Sequence, residues 1–172
     1  MCGITGIINL SQQRFGVLDK KIFKDLLVAT SLRDKHSTGL FTVPIDNSES
    51  VKILKRAVPA SEFIETKEFD LLMKDFNDYK YIVGHTRYAT IGEINDKNAH
   101  PFISENIISV HNGSVNNKHE ICVIGGKQGS DCEVDSEALA IALSKKSIED
   151  FVGKVEGAFA IVWYDIKEKK LH

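Results

Sequence analysis

Cysteine is scarce in this 172-residue chain, which has only Cys2, Cys122 and Cys132. An odd number at irregular spacing makes no disulfide framework and fits a reducing compartment, so any special cysteine is special for its chemistry. An excess of one charge is also lacking. Lys and Arg total 22 against 24 Asp and Glu, a formal charge of -2, so neither nucleic-acid tracking nor adhesion to an anionic membrane is supported. No apolar run approaches the roughly 20 residues of a membrane span, and the start Met-Cys-Gly-Ile-Thr-Gly lacks the basic stretch of a secretory leader. The expectation is a soluble, cytoplasmic protein with no nucleic-acid or membrane partner. The three prolines (Pro44, Pro59, Pro101) fall in turns or at element boundaries, and no repeat or Pro/Gly-rich linker divides the chain. With 42% hydrophobic and 27% charged residues, 1–172 reads as one domain with its own core.

Periodicity gives a coarse outline. Ile4 to Leu10 reads as a buried strand, and Asp19 to Leu32 as a helix behind an Asp cap, with Ile22, Phe23, Leu26, Leu27 and Thr30 at helical spacing. A hairpin is expected from Gly39 to Val43 and Val51 to Ala57 around the polar turn Asp46-Asn47-Ser48-Glu49. After Pro59 a second helix places Phe69, Leu72, Met73 and Phe76 on one face, followed by strands at Tyr81 to His85 and Asn106 to Val110. Asp135 or Ser136 caps a helix whose interior, Ala138 to Leu143, is apolar all round, which predicts burial between layers. In the last strand, Gly157 to Tyr164, both faces read as covered, and the whole suggests stacked sheets inside helical layers.

Four groups of residues could carry chemistry. Removal of Met1 would give Cys2 a thiol and a free α-amine together. The amine titrates at about 7.7–8.0 and a thiol near 8.5, so the amine can take the thiol proton without a histidine partner. The plain alternative is a small buried residue at a strand start. In the stretch Gly84 to Glu93, continued by Asn98-Ala99-His100-Pro101-Phe102, Arg87 offers a planar fork for a carboxylate, which suits an amino-acid substrate. A surface ion pair is the competing role for Arg87, and packing the competing role for His85 and His100. In His111-Asn112-Gly113, directly after a strand, the Asn112 amide and the Gly113 N–H can both point at a developing oxyanion, although Asn-Gly is also a common turn. In Glu133-Val134-Asp135-Ser136-Glu137 one carboxylate could hold a substrate ammonium, or the acids could simply cap the helix. His111, His119, Cys122 and Cys132 lack the close pair spacing of a zinc site, and Gly125 to Ser130 lacks the order of a phosphate loop. No metal or cofactor is expected.

Together these groups resemble the class II, N-terminal-nucleophile glutamine amidotransferases, and most of all the glutaminase domain of glucosamine 6-phosphate synthase. Met-Cys-Gly-Ile-Thr-Gly, Gly84 to Glu93 with Asn98-Ala99-His100-Pro101, His111-Asn112-Gly113, the Asp135 segment and Glu156-Gly157-Ala158-Phe159-Ala160 match in order over nearly the whole chain. The resemblance implies an α+β fold, a four-layer αββα sandwich of the N-terminal-nucleophile hydrolase type. It implies Cys2 as nucleophile with its α-amine as base, Asn112 and Gly113 as oxyanion hole, Arg87 on the glutamine α-carboxylate and Asp135 on its α-ammonium. Thr90 would add a polar contact, and Tyr88 stands at the position of the family's lid aromatic.

Three departures stand beside the match. The family's Arg-Gly-x-Asp-Ser-x-Gly is here Arg33-Asp34-Lys35-His36-Ser37-Thr38-Gly39, without the first glycine and the usual acid. Where the synthase domain has Arg-Trp-Ala-Thr-His-Gly, Tyr88 keeps the aromatic character and Ile91 removes a polar ligand, which implies weaker glutamine affinity. The family continues through another strand and an arginine-bearing segment beyond Lys170-Leu171-His172, so a C-terminally truncated domain or a minimal variant is expected. The implied function is hydrolysis of L-glutamine to glutamate and ammonia. The ammonia would go to an acceptor synthase or synthetase, either as a partner subunit or as a missing downstream domain. The alternative is a catalytically silent interaction domain that retains the fold.

Overall fold

The apolar run after Cys2 forms β1 (Gly3–Ile8), the first of eight strands among the described residues. The computed structural model describes residues 2–10, 14–33, 35–46 and 50–172. Two compact units emerge, Met1–Tyr88 with Ile94–Pro101, and Ala89–Glu93 with Phe102–His172.

In the first unit β1 is followed by α1 (Val17–Thr30), β2 (Ser37–Pro44), β3 (Lys52–Arg56), α2 (Ala60–Phe63), α3 (Lys67–Leu72) and β4 (Tyr79–Arg87). The sheet has the order β1-β4-β2-β3 with every pair antiparallel. Helix α1 begins two residues before Asp19. Asp19 is its third residue and accepts the N–H of the N-cap Gly16 at 2.7 Å, so this acid closes the first turn from inside the helix. Of the expected apolar face, Phe23 and Leu27 are fully buried, one turn apart, whereas Ile22 and Leu26 stand to the side and are about 41–42% exposed. The expected second helix is broken. Thr66 donates its hydroxyl to Phe63 O at 2.8 Å and accepts Phe69 N–H at 3.2 Å, ending α2 and starting α3, and a 3₁₀ turn follows over Met73–Asp78. Phe69, Met73 and Phe76 still reach the core beside Phe63, Tyr79 and Ile82. The β2–β3 hairpin pairs Leu40 with Leu54 and Phe41 with Ile53, while residues 47–49 of its expected turn lie outside the described residues.

The second unit contains β5 (Phe102–Ser104), β6 (Ile107–Val115), α4 (Lys118–Ile124), α5 (Asp135–Lys145), α6 (Ile148–Phe151), β7 (Gly157–Asp165) and β8 (Lys170–Leu171). Its sheet is antiparallel in the order β5-β6-β7-β8. Strand β6 runs five residues past the expected Val110, because β7 pairs with it along its whole length, His111 opposite Ile161 and Gly113 opposite Phe159. Helix α5 is buried on most sides, as its apolar circumference requires. Ala138, Leu139, Ala142 and Leu143 pack with Ile121 and Phe151, and Ala140 with Phe102 and Val134. Phe159, Ile161 and Trp163 of β7 pack against the same core, whereas Ala158 and Ala160 on the other face are exposed.

The expectation that the three cysteines make no disulfide framework is corrected. Cys122 on α4 and Cys132 ahead of α5 form a disulfide, and Cys2 is not disulfide-bonded. Both bonded sulfurs belong to the core that joins α4 to α5, and the packing of these helices brings together two cysteines whose spacing carries no framework signal. The argument for a reducing compartment rested on the lack of any disulfide framework and falls with the Cys122–Cys132 bond. No helix among the described residues is long and apolar enough to cross a membrane.

Candidate active site

In the first unit the antiparallel register of β1 on β4 sets Gly3 opposite Thr86 and so brings Cys2 to the end of β4. Tyr88 N–H donates to Cys2 Sγ at 3.4 Å, and Sγ donates to Tyr88 O at 3.8 Å. The sulfur is therefore bracketed by one backbone residue. Gly3 is required here by space, since a Cβ would stand 2.7 Å from Thr30 Cβ and 2.8 Å from Thr86 Oγ1. Arg87, the last residue of β4, is buried. Its carbonyl accepts His36 N–H at 3.3 Å, and the His36 ring stacks on that of Tyr88, centroids 4.8 Å apart and planes 24° from parallel. Tyr88 itself is 45% exposed.

The Asn98-Ala99-His100-Pro101 segment is held by Lys55 of β3, whose ammonium donates to the carbonyls of Lys97 and Ala99 at 2.9 Å and of Pro101 at 3.2 Å. His100 is buried against His85, ring centroids 3.7 Å apart, so both histidines pack the first unit's interior.

In the second unit His111, Asn112 and Gly113 lie within β6 rather than after it, and no Asn-Gly turn forms. Gly113 adopts φ +140°, and a Cβ there would run into Ala158 O and Phe159 of β7, so glycine is demanded by conformation and by space. Alternation along the strand turns His111 to the side opposite Asn112. His111 is buried, and its Nδ1 is hydrogen-bonded to Ser136 Oγ at 2.9 Å. Burial pushes the His111 imidazole below its ordinary value of 6.5, and the negative charge of Asp135 opposes that shift.

Neither Asp135 nor Ser136 is the helix cap. Val134 holds that position, and Asp135 is the first residue of α5. Its Oδ2 accepts Val115 N–H at 3.0 Å and its Oδ1 accepts Ser136 N–H at 3.0 Å, which leaves lone pairs of both oxygens for a cation. Glu137 reaches back to Glu133 N–H at 2.9 Å, ahead of the N-cap, while the first-turn N–H of Ser136 is taken by Asp135 itself. Thr90 is exposed in the segment Ala89–Glu93, whose Glu93 N–H donates to Glu133 Oε1 at 3.3 Å.

Thus Cys2, Arg87 and Tyr88 come together in the first unit, and Asn112, Gly113 and Asp135 are joined through β6 and the start of α5 in the second. The sequence did not disclose the Ser136 contact of His111, the Val115 N–H on Asp135 or the ring of His36 on Tyr88. Strand alternation at His111 is the cue that could have found the first. Among the described residues no group of three or more His, Cys, Asp or Glu side chains is placed to hold a metal ion.

A model of the glutamine amidotransferase domain matches residues 85–172. The chain is 28% identical to the isomerizing glutamine–fructose-6-phosphate aminotransferase of Helicobacter pylori, over 99% of this chain and 28% of the relative. It is 31% identical to the same enzyme of Mesorhizobium japonicum, over 94% of this chain and 26% of the relative. It spans about a quarter of the length of these curated relatives. In structure it resembles the glutamine phosphoribosylpyrophosphate amidotransferase of B. subtilis solved with ADP and GMP, with a TM-score of 0.66 and 20% identity over 95% of this chain and 35% of that one. That likeness bears out the mixed α and β fold expected from the N-terminal-nucleophile amidotransferases. With half of its residues covered by the family model, the chain belongs to the class II glutamine amidotransferase domain family.

Proposed function

We propose that this protein hydrolyses the side-chain amide of L-glutamine to glutamate and ammonia through a thioester on Cys2. The observation that carries this reading is the Cys2 thiol, outside the disulfide and at the head of β1, bracketed by the Tyr88 backbone beside the buried Arg87, in a chain of this family. Loss of Met1, which lies outside the described residues, frees the α-amine, which takes the thiol proton as sulfur attacks the carboxamide carbon and passes it to departing ammonia. Water then cleaves the thioester and releases glutamate. Asn112 and Gly113 serve as donors to the oxyanion, Arg87 grips the α-carboxylate, Asp135 takes the α-ammonium, and Thr90 and Tyr88 add contacts to the bound amino acid.

Ammonia is the useful product in this reading. The curated relatives extend well beyond the part that this chain matches, and a synthase or synthetase, as a partner subunit or a further domain, is the acceptor. The cytoplasm is the location that goes with it, since glutamine, donor and acceptor must share one compartment.

Labelling by an electrophilic glutamine analogue, followed by peptide mass spectrometry, tests the reading. One label per chain is expected on Cys2, with hydrolysis abolished in Cys2→Ala and Met1 absent from the intact mass. Hydrolysis that survives Cys2→Ala removes the mechanism, and a processed chain that neither labels nor turns over is the silent domain instead.

A further inference from the structure

The segment that departs from the family pattern contains His36, which packs on the residue whose backbone brackets Cys2. Residue 36, where that pattern has an acid, is here an imidazole. His36 precedes β2, and Ser37 pairs with Arg87 in the β2–β4 register, so residue 36 falls beside the point where the chain leaves β4. It is tied there twice, by its N–H to Arg87 O at 3.3 Å and by its ring on the Tyr88 ring at 4.8 Å between centroids. Tyr88 in turn supplies the N–H that donates to Cys2 Sγ and the carbonyl that accepts from it. A run of contacts within one unit therefore leads from His36 through Tyr88 to the sulfur.

We infer that His36 is a positioning residue for the Cys2 thiol, acting through the Tyr88 ring and backbone. Tyr88 lies one residue past the last ladder position of β4, and its side chain is nearly half exposed, so the sheet alone does not hold it. The stack on His36 supplies the missing hold. With Tyr88 held, its N–H stays aimed at the sulfur, and donation from an N–H favours the thiolate, the form that attacks carbon. The ring, rather than a charge at residue 36, does this, so another flat ring serves in its place. This inference rests on the reading of Cys2 as nucleophile for its meaning in catalysis, while the contact itself can be tested without glutamine.

Iodoacetamide is the probe. With Cys122 and Cys132 bonded to each other, Cys2 is the thiol it reports. Its second-order rate constant with Cys2 and the steady-state kcat for glutamine are measured at one pH in wild type, His36→Ala and His36→Phe, with melting temperature as a control. Loss of a stacked pair is expected to slow alkylation and lower kcat by about two- to tenfold in His36→Ala, and His36→Phe is expected to restore both. Wild-type alkylation and turnover in His36→Ala would overturn the inference. So would a His36→Phe protein that melts as wild type yet is no faster than His36→Ala. Hydrolysis that persists in Cys2→Ala overturns the catalytic reading alone, and the alkylation rates still decide the His36 contact.

Discussion

Val115 N–H of β6 donates to the Asp135 carboxylate at 3.0 Å, tying the start of α5 to the strand that carries Asn112 and Gly113. A buried amide has few alternatives to this acceptor, so the carboxylate has a structural duty besides any ligand it holds.

The two duties separate by substitution. Asp135→Asn keeps an oxygen for Val115 N–H but removes the charge for an ammonium and turns an NH2 toward Ser136 N–H, so KM for glutamine is expected to rise about 10- to 100-fold, as for loss of a charge-assisted hydrogen bond, with a smaller loss of stability than in Asp135→Ala. Asp135→Ala strands the buried N–H as well and should cost about 1–3 kcal/mol of stability. Steady-state kinetics and urea unfolding on both variants check this, and an Asn variant with wild-type KM would end the ammonium assignment.

His111 makes stability depend on pH. Burial holds its folded-state value below the ordinary 6.5. Above that ordinary value the imidazole is neutral in the folded and unfolded chain alike. As pH falls below it, the unfolded chain binds the proton first and stability declines, levelling only beneath the lower folded value. The urea midpoint should therefore be lower at about pH 5.5 than at about pH 7.5, and His111→Gln, which does not titrate, should show a shallower dependence. Equal slopes in the two proteins would assign the pH effect to other groups.

The sequence named the candidate site residues but not their supports. Cys2, Arg87, Asn112 and Asp135 stand in short motifs whose residue types state their chemistry, and the family match covers three of them. Strand and helix types were legible from periodicity, but ends decided by tertiary pairing were not. Strand β6 continues to Val115 because β7 lies beside it, and the helix after Pro59 breaks because Thr66 bonds its own backbone neighbourhood. The Cys122–Cys132 bond was hidden because it depends on how α4 meets the start of α5, a relation with no signature in spacing.

That disulfide closes a loop with a sequence separation of 10, within the core that α4 and α5 share. Loop-closure entropy for a loop of this size gives about 2–3 kcal/mol of stabilisation. Cys132→Ser is expected to lower the urea midpoint accordingly, and strong reductant under denaturing conditions should raise the mass of the wild type by two hydrogens. Wild-type stability in Cys132→Ser would show that the bond adds nothing to the packing of the two helices.

Arg87 and Asn112 should leave different kinetic marks. Arg87 is a buried fork at the end of β4, and Lys at that position supplies a point charge without the two parallel donors, so Arg87→Lys should mainly raise KM. In the proposed mechanism Asn112 meets charge that develops only as the carboxamide becomes tetrahedral. Asn112→Ala should therefore lower kcat by about 10²–10³ with a smaller effect on KM, as for loss of one oxyanion donor. Gly113 sharpens the comparison, because its φ of +140° and its closeness to Phe159 make a side chain there a backbone displacement, so Gly113→Ala should lose kcat and stability together. Rates over a range of glutamine concentrations, with melting curves on the same preparations, distinguish the three. A near-normal kcat in Asn112→Ala would remove the oxyanion role, and a purely kcat defect in Arg87→Lys would place the guanidinium on the reacting amide instead of the α-carboxylate.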